Sequence, residues 1–232
     1  MLLVCAALQR ETFLPFASLM WAGAAGLSGA AGIAALYRGL AIGSAAIVAP
    51  TAAVITAALP VVFSGFTAGL PNPFQLAGFI VAIAGIWLVA RTGESSDSSN
   101  QGLRLAVVAG IGFGGFLILI AQVRSELVFL PLAVTRTMTL VAALAMMLVR
   151  RVAVPTLAAN PVALVAGILD AGGNVLFLYA RQHARLDVAA VLSSFYPAAT
   201  VVLSRVILRE RVSATQWLGA GVCLVAVALI TA

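Results

Sequence analysis

A pattern that occurs twice decides the fold, running first from Leu36-Tyr37-Arg38 to Phe74-Gln75-Leu76-Ala77-Gly78 and again from Leu178-Tyr179-Ala180-Arg181 to Thr215-Gln216-Trp217-Leu218-Gly219. The spacing is nearly constant, because the tyrosines of the two copies are 142 residues apart and the glutamines are 141 apart. Duplicated hydrophobic halves are typical of transporter folds, in which two related bundles enclose a site near the bilayer midplane.

The composition indicates a membrane protein. Hydrophobic residues make up 63% of the chain and charged residues only 9%, against about 25% charged in soluble domains. All thirteen basic residues are arginines, placed singly or in pairs between apolar runs, as in the loop anchors of membrane proteins. The net charge of +6 therefore does not indicate nucleic-acid binding, and no nucleic acid is expected as a partner.

Eight apolar runs are close to the length of about 20 residues that crosses a bilayer. They cover approximately 13–36, 42–68, 74–91, 103–122, 127–149, 161–180, 186–208 and 214–232. Because a spanning segment must satisfy its backbone hydrogen bonds internally, we predict helices. The fold class is an all-α membrane protein, a multi-span helical bundle of two inverted repeats. About eight complete transmembrane helices are expected here and ten in the full-length protein.

The duplication also predicts the domain organisation. Residues 1–91 form the first repeat, residues 92–102 a polar linker, and residues 103–232 the second repeat. At an offset of 142, residues 102–142 have no counterpart in the first half, so we expect that half to lack its first helix and most of its second. We also expect in-frame codons upstream of Met1 to encode that missing part.

Three short segments carry a family resemblance. They are Ser44-Ala45-Ala46-Ile47-Val48-Ala49-Pro50, Ala189-Ala190-Val191-Leu192-Ser193-Ser194-Phe195-Tyr196-Pro197 and Leu208-Arg209-Glu210-Arg211. Taken in order with the duplication and the linker, they resemble the EamA family of the drug/metabolite transporter superfamily. The chain departs from that family at Gly69-Leu70-Pro71, where a Gly-Glu-Arg-like turn is usual.

The resemblance implies two inverted five-helix repeats that move small organic metabolites, amino-acid-like or drug-like, by secondary active transport with alternating access. It implies a multi-pass protein of a cell membrane, namely a bacterial plasma membrane. The expected partners are the lipid bilayer and a small-molecule substrate, and a homodimer is one assembly to consider. No enzyme activity, cofactor or metal site is expected, since H-E-x-x-H and G-x-S-x-G are absent. The alternative is a non-transporting structural or regulatory membrane protein, or an inactive truncated transporter.

Two charged residues inside apolar runs are the first candidates for a substrate pathway. Asp170 lies near the middle of run 161–180, and Asn174, four residues on, shares its helix face. Asp170 either contacts substrate or protons, or serves as a structural hydrogen-bonding group. Arg136 lies in the neighbouring run at a depth that differs by roughly 6 Å at about 1.5 Å per residue. It either pairs with Asp170 or extends its side chain to the membrane interface.

A polar stripe in run 186–208 completes the predicted pathway. Ser193, Tyr196, Pro197 and Thr200 recur at spacings of three and four, and Ser204 continues them. Such a face either lines a pathway or provides hydrogen bonds between helices. Glycines at every third position from 23 to 32, and at 110 and 114, predict close approach of neighbouring helices.

Overall fold

The computed structural model describes residues 1–11, 13–42, 45–90, 100–124, 126–152, 161–195, 206 and 213–231. Within these residues the regular structure is helical, with no strand. The α-helices are α1 (Leu2–Leu8), α2 (Phe16–Ile42), α3 (Ala45–Thr67), α4 (Pro73–Ala90), α5 (Asn100–Ile120), α6 (Phe129–Arg150), α7 (Pro161–His183), α8 (Leu186–Ser193) and α9 (Ala214–Thr231).

Four of these helices, α2, α5, α6 and α7, are long and apolar enough to cross a membrane. Shorter apolar stretches lie in α3, α4 and α9, at Thr51–Thr67, Pro73–Leu88 and Ala214–Ile230. The all-helical membrane fold is therefore confirmed. The count of eight spans and the inverted relation of the repeats stay predictions.

The end of the first span differs from the prediction. α2 continues to Ile42, six residues beyond the expected end at residue 36, and so includes Tyr37 and Arg38. No proline interrupts this stretch, and both side chains are exposed, so the long arginine side chain can reach polar surroundings while its backbone stays helical. Tyr37 and Arg38 are thus part of the helix and do not mark its boundary.

The described chain forms two compact units. The first unit contains residues 1–30 and 116–184, and the second contains residues 31–115 and 185–232. Each unit therefore combines segments from both halves of the sequence, and the division falls inside α2 and α5. The predicted repeat domains describe sequence symmetry, which this grouping does not test.

In the first unit, α2 and α6 cross in close contact. A Cβ atom placed on Gly26 would lie 2.6 Å from the carbonyl oxygen of Thr135, so only glycine fits there. The hydroxyl of Thr139 donates to the Gly26 carbonyl at 3.2 Å. Small residues with interhelical hydrogen bonds are the usual means of joining helices in lipid, and this crossing fixes the rotation of α6.

The N-terminus of α6 is capped by Glu11 from the segment before α2. The Glu11 carboxylate accepts hydrogen bonds from the backbone N–H groups of Val128 at 2.8 Å, Phe129 at 3.1 Å and Leu130 at 2.8 Å. The next residue, Pro131, has no N–H group. Every orphan donor at the start of α6 is therefore either satisfied by Glu11 or absent.

In the second unit, glycines bring helix backbones together. A Cβ on Gly78 would lie 3.0 Å from the backbone nitrogen of Ile230, and one on Gly110 would lie 2.9 Å from the carbonyl oxygen of Ala52. The close approach predicted at residue 110 is confirmed. Around the contact of α4 with α9, buried apolar residues form a core cluster of Phe79, Ala82, Val191, Ala226 and Ile230.

Candidate functional site

Arg136 of α6 and Asp170 of α7 form an ion pair within the first unit. Arg136 Nη1 lies 2.6 Å from Asp170 Oδ2. The Asp170 side chain is 58% exposed, and that of Arg136 is 31% exposed. The pairing alternative from the sequence is therefore confirmed.

The Arg136 guanidinium uses one of its three nitrogens in this pair. Its Nε and Nη2 atoms are buried, with no hydrogen-bond partner among the described residues. These two nitrogens form one edge of the guanidinium, on which both N–H bonds point in the same direction. That edge matches the two oxygens of a carboxylate, so the geometry leaves a bidentate anion-binding edge unused.

Asp170 also keeps binding capacity, since no hydrogen bond from a described residue reaches Oδ1. Asn174 does not contact the carboxylate, because its Nδ2 donates to the backbone carbonyl of Asp170 at 2.9 Å. Asn174 lies one turn along α7 from Asp170, as predicted, but its amide group is bonded to its own helix.

Glycines leave the surroundings of Asp170 open. A Cβ atom added to Gly167, Gly172 or Gly173 would meet no described atom within 4 Å. Gly167 and Gly173 lie three residues before and after Asp170, so they share its face of α7. In contrast to Gly26 or Gly78, these glycines make no close contact with a described helix, and no described atom fills the space that their missing side chains leave on this face.

A second ion pair lies at the start of α8, in the second unit. Arg185 Nη2 is 3.0 Å from Asp187 Oδ2, and Arg185 Nε lies 3.2 Å from Oδ1. The same guanidinium donates to the backbone carbonyls of Ala68 at 3.3 Å and Gly69 at 2.8 Å. Asp187 is fully buried and also accepts the N–H of Val188 at 2.9 Å. This pair ties the start of α8 to the end of α3.

The polar stripe is only partly described. Ser193 is exposed in the last turn of α8, and its hydroxyl donates to the Ala189 carbonyl at 2.8 Å, which leaves its lone pairs available. Tyr196, Pro197 and Thr200 lie outside the described residues. Their predicted place in a pathway stays a prediction.

Sequence reasoning missed Asp187 and Glu11. Asp187 carries a usable signal, since an acidic side chain in the first turn of a helix interacts favourably with the positive end of the helix dipole. Arg185, two residues before Asp187, is a nearby positively charged partner. Glu11 carries none, because its partners are backbone N–H groups more than one hundred residues away.

Comparison with known proteins agrees with this architecture. The model of the EamA-like transporter family matches residues 100–232, which is 133 of the 232 residues. No curated protein matches the chain. A crystal structure of a protein that is 19% identical has a TM-score of 0.74, with 98% of this chain and 82% of that chain covered; this likeness shows the fold alone.

Members of this family are membrane transporters rather than enzymes, in agreement with the apolar helices of both units. Because the match covers more than half of the residues, the chain belongs to the EamA-like transporter family of the drug/metabolite transporter superfamily and is an integral, multi-pass membrane protein.

Proposed function

We propose that the protein transports small amphoteric solutes, amino acids above all, by alternating access, and that Arg136 and Asp170 bind the two charged ends of the substrate. The observation that carries this proposal is the unused Nε and Nη2 edge of Arg136 beside a half-exposed carboxylate. A substrate carboxylate would take that edge, and a substrate ammonium group would take Asp170.

The energetics favour exchange of partners at this pair. A buried N–H group without an acceptor costs about 1–3 kcal/mol, so a carboxylate that reaches Arg136 relieves an existing penalty. The ion pair itself holds Arg136 through one nitrogen only. A zwitterion can therefore replace part of the pair without leaving either charge alone. The open face at Gly167 and Gly173 supplies space for the substrate side chain.

Burial of the unused edge supports alternating access. Since Nε and Nη2 are shielded from solvent in this conformation, a substrate reaches them only after local opening. Ser193 and the remaining pathway residues Tyr196, Pro197 and Thr200 would line the route, and the bacterial plasma membrane would be its location. In this proposal, transport is secondary active, which means that it is coupled to an ion gradient.

Counterflow in proteoliposomes tests this function. The full chain is reconstituted with a panel of neutral amino acids, each compared with its amine analogue, which lacks the carboxylate, and its acid analogue, which lacks the ammonium group. We expect counterflow of zwitterions to exceed that of both analogues.

Arg136→Gln should abolish zwitterion counterflow, because glutamine cannot present the charged bidentate edge. The matched control is Arg150→Gln, which removes the same charge from the exposed last turn of the same helix and should transport normally. Equal transport by the two variants would remove Arg136 from the proposed site, and equal transport of amine, acid and zwitterion would remove the amphoteric substrate class.

A further inference from the structure

A cavity of about 240 Å³ lies in the first unit. Neither Arg136 nor Asp170 lines it. Its wall includes Ile120 at the end of α5, Arg124 and Leu127 of the following connection, and Leu178 and Arg181 of the last turns of α7. That volume is several times the share of about 30 Å³ that one water molecule takes in the liquid. It therefore admits a compact polar group.

The cavity is positively charged. Arg181 makes no hydrogen bond or ion pair with any described residue, and its Nε atom is buried without an acceptor. Arg124 pairs with Glu126 at 3.3 Å, but both side chains are mostly exposed, at 58% and 78%. Such a surface pair contributes little and leaves the arginine free to exchange partners. Two guanidinium groups thus share one cavity wall, and one of them has no acceptor.

The ends of α5 and α7 do not account for this arrangement. Each helix C-terminus carries a partial negative charge of about half an elementary charge, which favours a nearby cation. An arginine held for that reason would donate to the last carbonyls of its helix, and no described carbonyl accepts from Arg181. The Nε atom is buried instead, in the wall of a space that a ligand can fill.

The position of the cavity indicates the kind of anion. α5 has 21 residues and α7 has 23, and about 20 residues cross the hydrocarbon core. We therefore expect the last turns of both helices at the level of the lipid headgroups. Arginine forks bind phosphate oxygens in pairs, and the apolar side chains of Leu127 and Leu178 suit the groups attached to a phosphate ester.

We propose that this cavity binds a phosphate group, held by Arg181 and Arg124. Two sources supply that chemistry at a membrane surface: the headgroup of an anionic phospholipid, or free inorganic phosphate. The site is separate from the proposed transport pathway, so its occupancy is measurable in the absence of any transported solute.

Native mass spectrometry of the detergent-solubilised full chain tests the proposal. Binding of dioleoyl phosphatidylglycerol is compared with that of dioleoylglycerol, which has the same acyl chains and no phosphate. We expect retention of the phosphatidylglycerol only. Arg181→Gln should weaken it by about tenfold or more, the effect of losing a charged hydrogen bond. The matched control is Arg10→Gln, which removes one exposed charge that does not line the cavity and should leave binding unchanged.

Inorganic phosphate separates the two sources. If phosphate binds in a manner that depends on Arg181, the ligand is free phosphate; if phosphatidylglycerol binds in that manner and millimolar phosphate does not displace it, the ligand is the lipid headgroup. Equal binding of lipid and of phosphate by Arg181→Gln and Arg10→Gln would overturn the proposal. Should Arg181→Gln fail to fold, hydrogen exchange of the wild type decides: protection of residues 120–124 and 178–182 by phosphatidylglycerol or phosphate supports the site, and no protection by either overturns it.

Discussion

The two arginine–aspartate pairs found among the described residues differ in how completely their hydrogen-bonding capacity is used. Arg185 donates to both oxygens of Asp187 and to two backbone carbonyls, and Asp187 is fully buried. Arg136 contacts one oxygen of a half-exposed Asp170, and two of its nitrogens have no described partner. The same two residue types therefore form a saturated structural contact in one unit and an unsaturated contact in the other.

This difference distinguishes an ion pair that stabilises the fold from one that can exchange partners. A saturated buried pair cannot exchange a partner without leaving a charge unpaired, so it holds two segments in place. An unsaturated pair loses little when a new partner arrives, since the new hydrogen bonds were missing before. The degree of saturation, rather than the presence of an ion pair, indicates which of the two pairs can accept a new hydrogen-bonding partner.

The largest effect is expected from Asp187→Ala. Removing a fully buried partner leaves the Arg185 charge without its carboxylate, and breaking such a pair costs about 3–5 kcal/mol. Because Arg185 is 32% exposed, water offsets part of this loss, and we expect about 3 kcal/mol less free energy of unfolding. Titration with sodium dodecyl sulfate in mixed micelles, followed by circular dichroism, measures it.

Glu126→Ala provides the control for that measurement, because the Arg124–Glu126 pair is exposed on both sides. We expect its stability to change by less than about 0.5 kcal/mol. Similar losses of unfolding free energy in the two variants would mean that the additional hydrogen bonds of the Arg185 pair do not stabilise the fold.

An intermediate effect is expected from Gly69→Ala. Gly69 has φ +79 and presents its carbonyl to Arg185, and no described atom lies within 4 Å of an added Cβ. The loss, about 1–2 kcal/mol of unfolding free energy, would therefore come from backbone strain alone. In Gly65→Ala, the added Cβ also meets no described atom but the residue is helical, so this control should be stabilised by up to about 1 kcal/mol. Destabilisation of both variants to the same extent would contradict the role of the positive φ.

The smallest stability effect is expected from Asp170→Asn. Both partners are partly exposed and the contact is a single one, so the loss should stay below about 1 kcal/mol. Zwitterion counterflow should nevertheless be lost with the charge. The coupling energy from a cycle of Asp170→Asn, Arg136→Gln and the double variant, measured by the same titration, should also be under about 1 kcal/mol. A coupling as large as the Asp187 effect would assign Asp170 to structure, the other alternative considered from the sequence.

The sequence offers the Arg136–Asp170 pair as one of two alternatives for Arg136, because isolated charges stand out in apolar runs and the helical rise places them at similar depths. It does not predict which guanidinium nitrogens stay unpaired, since that depends on the side-chain conformations. Periodic glycines predict close approach at Gly26 and Gly110, but not the helix on the other side.

The contacts of Arg185 with backbone carbonyls lie beyond sequence reasoning for a different reason. Two of its acceptors are backbone carbonyls more than one hundred residues away, and a carbonyl group is the same in every residue. The end of α2 was predicted too early because Tyr37 and Arg38 look like a boundary, although nothing in them stops a helix.

The Glu11 cap has a consequence for the time course of synthesis. The carboxylate leaves the ribosome 117 residues before its first partner, the N–H group of Val128. At about 5–20 residues per second, this separation lasts roughly 6 to 23 s. During that interval the Glu11 carboxylate has none of its α6 partners, and α6 acquires its N-terminal cap only when its own first turn has been synthesised. The first turn of α6 is therefore completed by a carboxylate from a segment that is synthesised more than one hundred residues earlier.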